Sequence, residues 1–233
     1  MNETHLHKTL KTIYALEIPG SRQEIAVGKY IADIITPDGD IIEIQTGSLS
    51  HLAPKIKDFT KNGRNVRIVY PLAVQKYIET ASPDGKTRRR KSPVKKNLYS
   101  TFKELTSLCP LLTDRMITLE VIETVITEER KETDEAVQSK NGRRRFRKNW
   151  IKTGKRLESA GKKHVFCGKE SYKALMPEKT DDTFTFPDFF IGLREIEKNV
   201  KEEEARIFLW CLCRMGIVEK GEKKGRLNTY YMA

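Results

Sequence analysis

Cysteine is scarce in this 233-residue chain: Cys109, Cys167, Cys211 and Cys213 are the four, and no two stand in a CxxC pair. That spacing argues against a zinc cluster or a disulfide framework. Cys211 and Cys213 lie inside the apolar stretch IFLWCLCRMGIV, so buried free thiols are expected. No apolar run approaches the roughly 20 residues that a membrane helix needs. The opening stretch, MNETHLHKTLKTIYALEIPG, has no hydrophobic signal core and no small-residue cleavage site. Internal repeats are absent too. The expectation is a soluble, cytoplasmic protein with no membrane partner.

What the sequence has in excess is positive charge. The 44 Lys+Arg against 32 Asp+Glu leave a net +12. A net charge of that size speaks about partners rather than fold, and the natural counterparts are nucleic acid, an anionic surface or an acidic protein. With 38% hydrophobic and 33% charged residues, the chain can build a core beneath a heavily ionised surface. Its length suits one sizeable domain and a smaller one.

Leu6, Leu10, Ile13 and Tyr14 recur at helical spacing, which predicts an amphipathic helix over about 3–16, stopped by Pro19-Gly20. RQEIAV, YIADIIT and DIIEIQT read as three strands, the last two joined by the turn PDGD. Ser48 is a candidate N-cap for a helix over 48–61, with Pro54 an irregularity within it, and RNVRIVYPL is a buried strand. KYIETASPDGKTRRRKSP reads as a hairpin with a basic flank, NLYSTFKELTSLCPLL as a helix, and ITLEVIETVITEE as a long strand. The polar segment that follows changes charge sign midway and is either a hairpin tip or a linker. Two further helices follow, the second bearing the stripe Ala205, Phe208, Leu209 and Leu212. Asn199 and Glu202 resemble its capping box, and Gly216 suits the position just past its end. GIVEKGEKKGRLNTYYMA closes as a hairpin with a basic tip.

The strand pair around PDG is the informative part. Side chains alternate along a strand, so Glu43 and Gln45 share one face while Ile42 and Ile44 share the other. A three-residue loop Pro37-Asp38-Gly39 places Asp33 directly opposite Glu43; a two-residue loop shifts the pairing by one. Like charges facing each other across a ladder are destabilising. Two carboxylates and an amide oxygen on one patch are hard donors of the kind Mg²⁺ takes, with waters and a substrate phosphate completing its shell. The alternative is an ordinary solvent-facing strand surface.

Helix, a strand with Asp33, a turn, EIQ, helix and strand: this order over residues 1 to 75 resembles the core of the PD-(D/E)xK nuclease superfamily, which includes many restriction endonucleases and Holliday-junction resolvases. The resemblance implies that Asp33 and Glu43 hold a metal ion, Mg²⁺ or Mn²⁺, and that Gln45 stands where the motif lysine usually stands. Ala32 replaces the proline that often precedes the aspartate. Glutamine can hydrogen-bond water but carries no charge; some active restriction enzymes of this superfamily have it there. Lys55 or Lys57 offers a substitute cation, although surface solvation is the ordinary role of either. An acidic residue on the first helix is common in the superfamily, and Glu3 falls on the stripe of Leu6 and Leu10. His5, His7 and His51 lack partners at ligand spacing and are read as surface residues.

The C-terminal two helices and hairpin, with Lys220, Lys223, Lys224 and Arg226 at its tip, resemble a winged helix. Further basic clusters are KTRRRK, containing Arg88, Arg89 and Arg90; Lys95-Lys96; and RRRFRK, containing Arg143, Arg144, Arg145 and Arg147 and followed by Trp150. Cations neutralise phosphates while aromatics stack on bases. The expected organisation is therefore α/β: a restriction-endonuclease-like mixed-sheet core flanked by helices over 1–135, a basic hairpin or linker over 136–175, and a small winged-helix-like DNA-binding domain over 176–233. The expected function is a metal-dependent DNA endonuclease with Asp33, Glu43 and Gln45 catalytic and Asp33, Glu43 and Glu3 as metal ligands. Cutting both strands takes two active sites, which makes a homodimer a possible form. The alternatives are a non-catalytic DNA-binding protein that keeps the nuclease fold, and a protein-interaction scaffold.

Overall fold

The computed structural model describes residues 4–139, 142, 144–178 and 183–233. Helix α1 (His5–Glu17) starts at Thr4, whose hydroxyl accepts the His7 N–H. Strands β1 (Arg22–Val27), β2 (Tyr30–Ile35) and β3 (Ile41–Ile44) form an antiparallel meander. Gly39, at φ +86°, supplies the left-handed residue that the tight β2–β3 turn needs. Helix α2 (Ala53–Lys61) then leads to β4 (Val66–Ala81), which pairs parallel with β3 and antiparallel with β5 (Thr87–Lys91).

A 3-10 turn (Leu98–Thr101) and the short α3 (Phe102–Leu105) stand where the sequence predicts one longer helix. Strand β6 (Ile117–Val137) pairs parallel with β4 along almost all of it, and β7 (Lys148–Phe166) returns antiparallel to β6. The result is a seven-stranded mixed sheet ordered β1-β2-β3-β4-β6-β7, with β5 on the far part of β4. The protein is thus α/β, a mixed sheet flanked by helices. Among the described residues no helix is long and apolar enough to cross a membrane.

Pro71 does not end β4, which runs on to Ala81 where the sequence reading stops its strand at Leu72. Val69 turns its carbonyl toward the Gln45 N–H at the end of β3, and Pro71, two residues on, faces the same side. By then β3 has finished, so the proline's missing N–H leaves no ladder bond unmade. Beyond this point β4, β5, β6 and β7 run on as a long, solvated arm.

The two sheet faces are packed differently. Leu6, Leu10 and Tyr14 of α1 cover Ile34, Ile42, Ile44, Val69 and Ile122. The other face packs Ile41, Val66, Ile68, Leu119 and Val121 against Ile56 and Phe59 of α2. That second core continues without a break through Phe102 and Leu105 into the C-terminal residues. There α4 (Gly168–Lys173), β8 (Thr183–Thr185), α5 (Phe186–Ile196), α6 (Glu202–Arg214), β9 (Val218–Lys224) and β10 (Leu227–Met232) complete the chain. The small sheet has the order β8-β10-β9. Helix α6 begins two residues later than an Asn199 cap requires. Its first-turn carboxylate, Glu204, accepts the Lys201 N–H instead, and Gly216 closes it at φ +62°.

Candidate metal and nucleic-acid site

Asp33 and Glu43 come together as neighbours on β2 and β3. Ile34 pairs with Ile42 and Ile35 with Ile41, so the next step outward sets Asp33 opposite Glu43. There the ladder changes character, and side chains replace backbone partners. Glu43 Oε1 accepts the Asp33 N–H at 3.3 Å, and Asp33 Oδ2 accepts the Ile44 N–H at 2.8 Å.

An ordinary outward strand face is solvated, and this one is not. The Glu43 side chain is 3% exposed, beneath Lys55, whose ammonium donates to Glu43 Oε2 at 2.5 Å. Lys55 reaches it because α2 begins at Ala53 rather than Ser48, with Pro54 in its first turn. Proline is tolerated there since first-turn N–H groups have no helical partner. A side chain on the first turn points back toward the helix start, which here faces β3. On the other side, His7 from α1 puts Nε2 3.3 Å from Asp33 Oδ2.

The two carboxyls titrate apart. Burial, then the Asp33 charge, pushes Glu43 up to about 7 against the pull of Lys55. Burial also works against ionised Asp33, but the His7 and Ile44 hydrogen bonds, with the charges of His7 and Lys55, outweigh it and hold that carboxyl below its ordinary value. One group is therefore a settled anion, and the other is poised near neutrality. Perturbed carboxyl pairs of this kind concentrate at functional sites.

Gln45 lies just past β3, its N–H bonded to the Val69 carbonyl and its side-chain amide donating to the Ser48 carbonyl at 3.0 Å. Glu3 lies outside the described residues. Among the described residues no three His, Cys, Asp or Glu side chains converge as a metal cluster. Two carboxylates nonetheless suit Mg²⁺, which keeps several waters and takes one or two protein carboxylates. Glu43 already holds one cation, the Lys55 ammonium.

The basic residues divide into engaged and available groups. Arg88, Arg89 and Arg90 are exposed on β5; Arg88 meets Glu132 at 3.3 Å, while Arg89 meets Glu158 at 3.5 Å and stacks on Tyr77. With Arg130, Asn149 and Trp150 they border a groove of about 800 Å³ on the arm. Arg144 is held in the tip: it donates to the Val137 and Trp150 carbonyls and covers one face of the Trp150 ring, with Arg130 on the ring as well. Arg145 and Arg147 are exposed, Arg145 over Phe146. Arg143 lies outside the described residues. Lys220, Lys223, Lys224 and Arg226 are exposed along the β9–β10 hairpin.

Sequence reasoning read His7 as a surface residue and offered Lys55 only beside Lys57, with surface solvation as the ordinary role of either. The signal for Lys55 was Pro54, which marks a helix start and fixes which residue occupies its first turn. No comparable signal pointed to His7.

A mixed-sheet α/β protein with a carboxylate pair, one member buried, answered by a helix lysine is the class these features define. The chain belongs to the family described as Domain of unknown function (DUF8091), whose model matches residues 4–167, from the cap of α1 to the end of β7. A Treponema pallidum (strain Nichols) protein named "Uncharacterized protein" is similar to it, 30% identical over 233 residues that cover 98% of this chain and 84% of the relative. No solved structure matches the chain.

Proposed function

We propose that this protein is a Mg²⁺-dependent DNA endonuclease with a PD-(D/E)xK-like core in which Lys55 supplies the cation missing at Gln45. The observation that carries the reading is the opposition of Asp33 and Glu43 at a point where the ladder opens, with Lys55 on Glu43. Asp33 and Glu43 would hold the ion; when bound it polarises a phosphate and acidifies water. Lys55, its Nζ on Glu43, is placed to donate to a phosphate oxygen as negative charge develops. The Gln45 amide, anchored on the Ser48 carbonyl, leaves its own oxygen to orient a water. His7 fixes the Asp33 carboxylate.

Backbone affinity falls to the arm and to the β9–β10 hairpin. Two helices followed by a strand pair, closed by β8, support the winged-helix reading of the C-terminal part. Helix α6, however, buries Ala205, Phe208 and Leu212 and presents Glu202 and Glu203 in its first turn. Carboxylates there oppose phosphate, so the hairpin cations are the DNA contacts in this reading, and α6 is an internal strut.

A second reading, a non-catalytic DNA-binding protein of the same fold, is favoured by one feature: Lys55 already neutralises Glu43, as a bound metal would. Plasmid nicking with Mg²⁺ or Mn²⁺ separates the two. Wild type should nick, and Asp33→Ala should abolish nicking with DNA affinity unchanged or slightly improved, because a carboxylate without its ion repels phosphate. Wild type that binds DNA without cutting it, together with cleavage gained by Gln45→Lys, would establish the non-catalytic reading.

A further inference from the structure

A cavity of about 200 Å³ opens on the α1 side of the sheet between Leu6, Thr46 and the root of the arm. Its walls carry four lysines from three separate segments: Lys76 on β4, Lys96 before the 3-10 turn, and Lys152 and Lys155 on β7. One carboxylate, Glu128 of β6, faces them. It is shared between Lys76 at 3.5 Å, Lys152 at 3.7 Å and Arg130 at 2.5 Å. Lys155 has no carboxylate within ion-pair distance among the described residues; its ammonium approaches the Thr46 carbonyl at 3.5 Å.

Like charges gathered in a partly closed cavity are costly unless an anion joins them. Burial, then the neighbouring Lys152, lowers Lys155 to about 8, with Lys96 and Lys76 adding to the effect against Glu128. The cavity is also well placed. Thr46 is the residue after Gln45, so the same short loop borders the carboxylate pair and the lysine cavity.

We infer that this cavity receives a phosphate monoester on Lys76, Lys96, Lys152 and Lys155, and that the monoester is the terminal phosphate of a nucleic-acid strand whose backbone passes Asp33 and Glu43. The choice of a monoester follows from charge. A phosphodiester brings one negative charge, a monoester about 1.5 to 2 at pH 7, and four ammonium groups against one shared carboxylate call for the larger. The source of the phosphate rests on the nuclease reading; the cavity chemistry does not.

The test uses the full chain without divalent metal and one oligonucleotide in three forms: 5′-phosphorylated, 3′-phosphorylated and unphosphorylated. One phosphorylated form should bind at least tenfold tighter than the unphosphorylated form, and inorganic phosphate should displace that advantage. Lys152→Gln with Lys155→Gln should erase the preference while leaving affinity for the unphosphorylated strand nearly unchanged, and arginine at both positions should retain it. The preference should weaken between pH 7 and pH 9 as Lys155 loses its proton. Equal binding of all three forms overturns the inference, and so does phosphate binding without discrimination among the strands. Plasmid nicking with Mg²⁺ is read separately: a terminal-phosphate preference in a protein that never cuts upholds the cavity and removes the nuclease.

Discussion

Lys55 holds its ammonium 2.5 Å from a Glu43 oxygen that solvent barely reaches, and yet the Glu43 carboxyl stays near pH 7. An ion pair that close would ordinarily pull a glutamic acid well below 4. Burial and the facing Asp33 cancel the pull, so the site holds more negative charge than one lysine satisfies.

That imbalance has a stability consequence. A carboxyl raised in the folded state from 4.5 to about 7 contributes stability that is fully present below pH 4.5 and lost as pH rises through 7. Glu43→Gln keeps an acceptor for the Asp33 N–H and carries no charge. It should stabilise the fold at pH 8 by about 2 kcal/mol, at 1.36 kcal/mol per pKa unit with allowance for relaxation, give no gain at pH 4, and abolish cleavage. Thermal unfolding at the two pH values measures it; an equal shift at both would mean the carboxyl is not raised.

Removing Lys55 acts in the opposite sense. Without the ammonium the Glu43 carboxyl should rise further, so Lys55→Ala should move the acid limb of the cleavage profile to higher pH as well as reduce rate. Lys55→Arg should restore the limb. A residue that merely packs α2 on β3 would lower activity without moving the profile.

Metal affinity should follow the same titration. Below pH 7 a proton competes for Glu43, so Mn²⁺ binding should tighten by up to about tenfold per pH unit and level off above 7. Calorimetry in buffers of different ionisation enthalpy should detect close to one proton released at pH 6. Asp33→Asn should remove binding at every pH; undiminished binding in that variant would place the ion elsewhere.

The arm's arginines should separate by role. Replacing Arg88, Arg89 and Arg90 with alanine should reduce the salt slope of DNA binding by up to about 2.7, since each phosphate contact contributes about 0.9. Arg144→Ala should change that slope little. It removes a guanidinium from the Trp150 ring and two carbonyls, costing about 1–2 kcal/mol locally. Faster hydrogen exchange over 137–150 and altered Trp150 fluorescence would register it.

The C-terminal elements should not be separable from the rest. Phe208 of α6 lies 4.4 Å from Phe102 and 5.2 Å from Tyr99, ring centre to ring centre, with no exposure of its own. Phe208→Ala should cost about 3–5 kcal/mol, and a chain ending at residue 175 should aggregate with Phe102 and Leu105 uncovered. An intact, monomeric truncation would show that the continuous core is dispensable.

Sequence alone made the Asp33–Glu43 opposition legible, because PDG limits the turn and a strand's period of two does the rest. Burial of Glu43 was not legible. An isolated strand cannot say that its second face will be roofed by α2, and the charged residue there read as solvent-facing. The first turn of α2 was misplaced because Ser48 is a good cap by chemistry, whereas the chain puts its proline inside the helix start. In the arm it was β7 that escaped, for another reason. With both faces largely wet, β7 shows no apolar alternation, and Gly154 and Gly161 interrupt what pattern there is. The four lysines of the cavity come from segments far apart in sequence, and only the parallel pairing of β4 with β6 and the return of β7 gathers them.

That same parallel pairing makes β4 a ruler. Glu43 is level with Ile68, and Thr80, twelve residues further along the strand (80 − 68), borders the arginine groove. At about 3.3 Å per residue the two lie roughly 40 Å apart, slightly more than one turn of duplex, about 34–36 Å. The strand runs on between them with one irregularity in its pairing to β6, at Ala73–Gln75, so the spacing is set by a strand rather than by a linker. If the nuclease reading holds, a duplex shorter than about one turn would reach the carboxylate pair or the groove without bridging them, and the minimum length for tight binding should report the length of a strand.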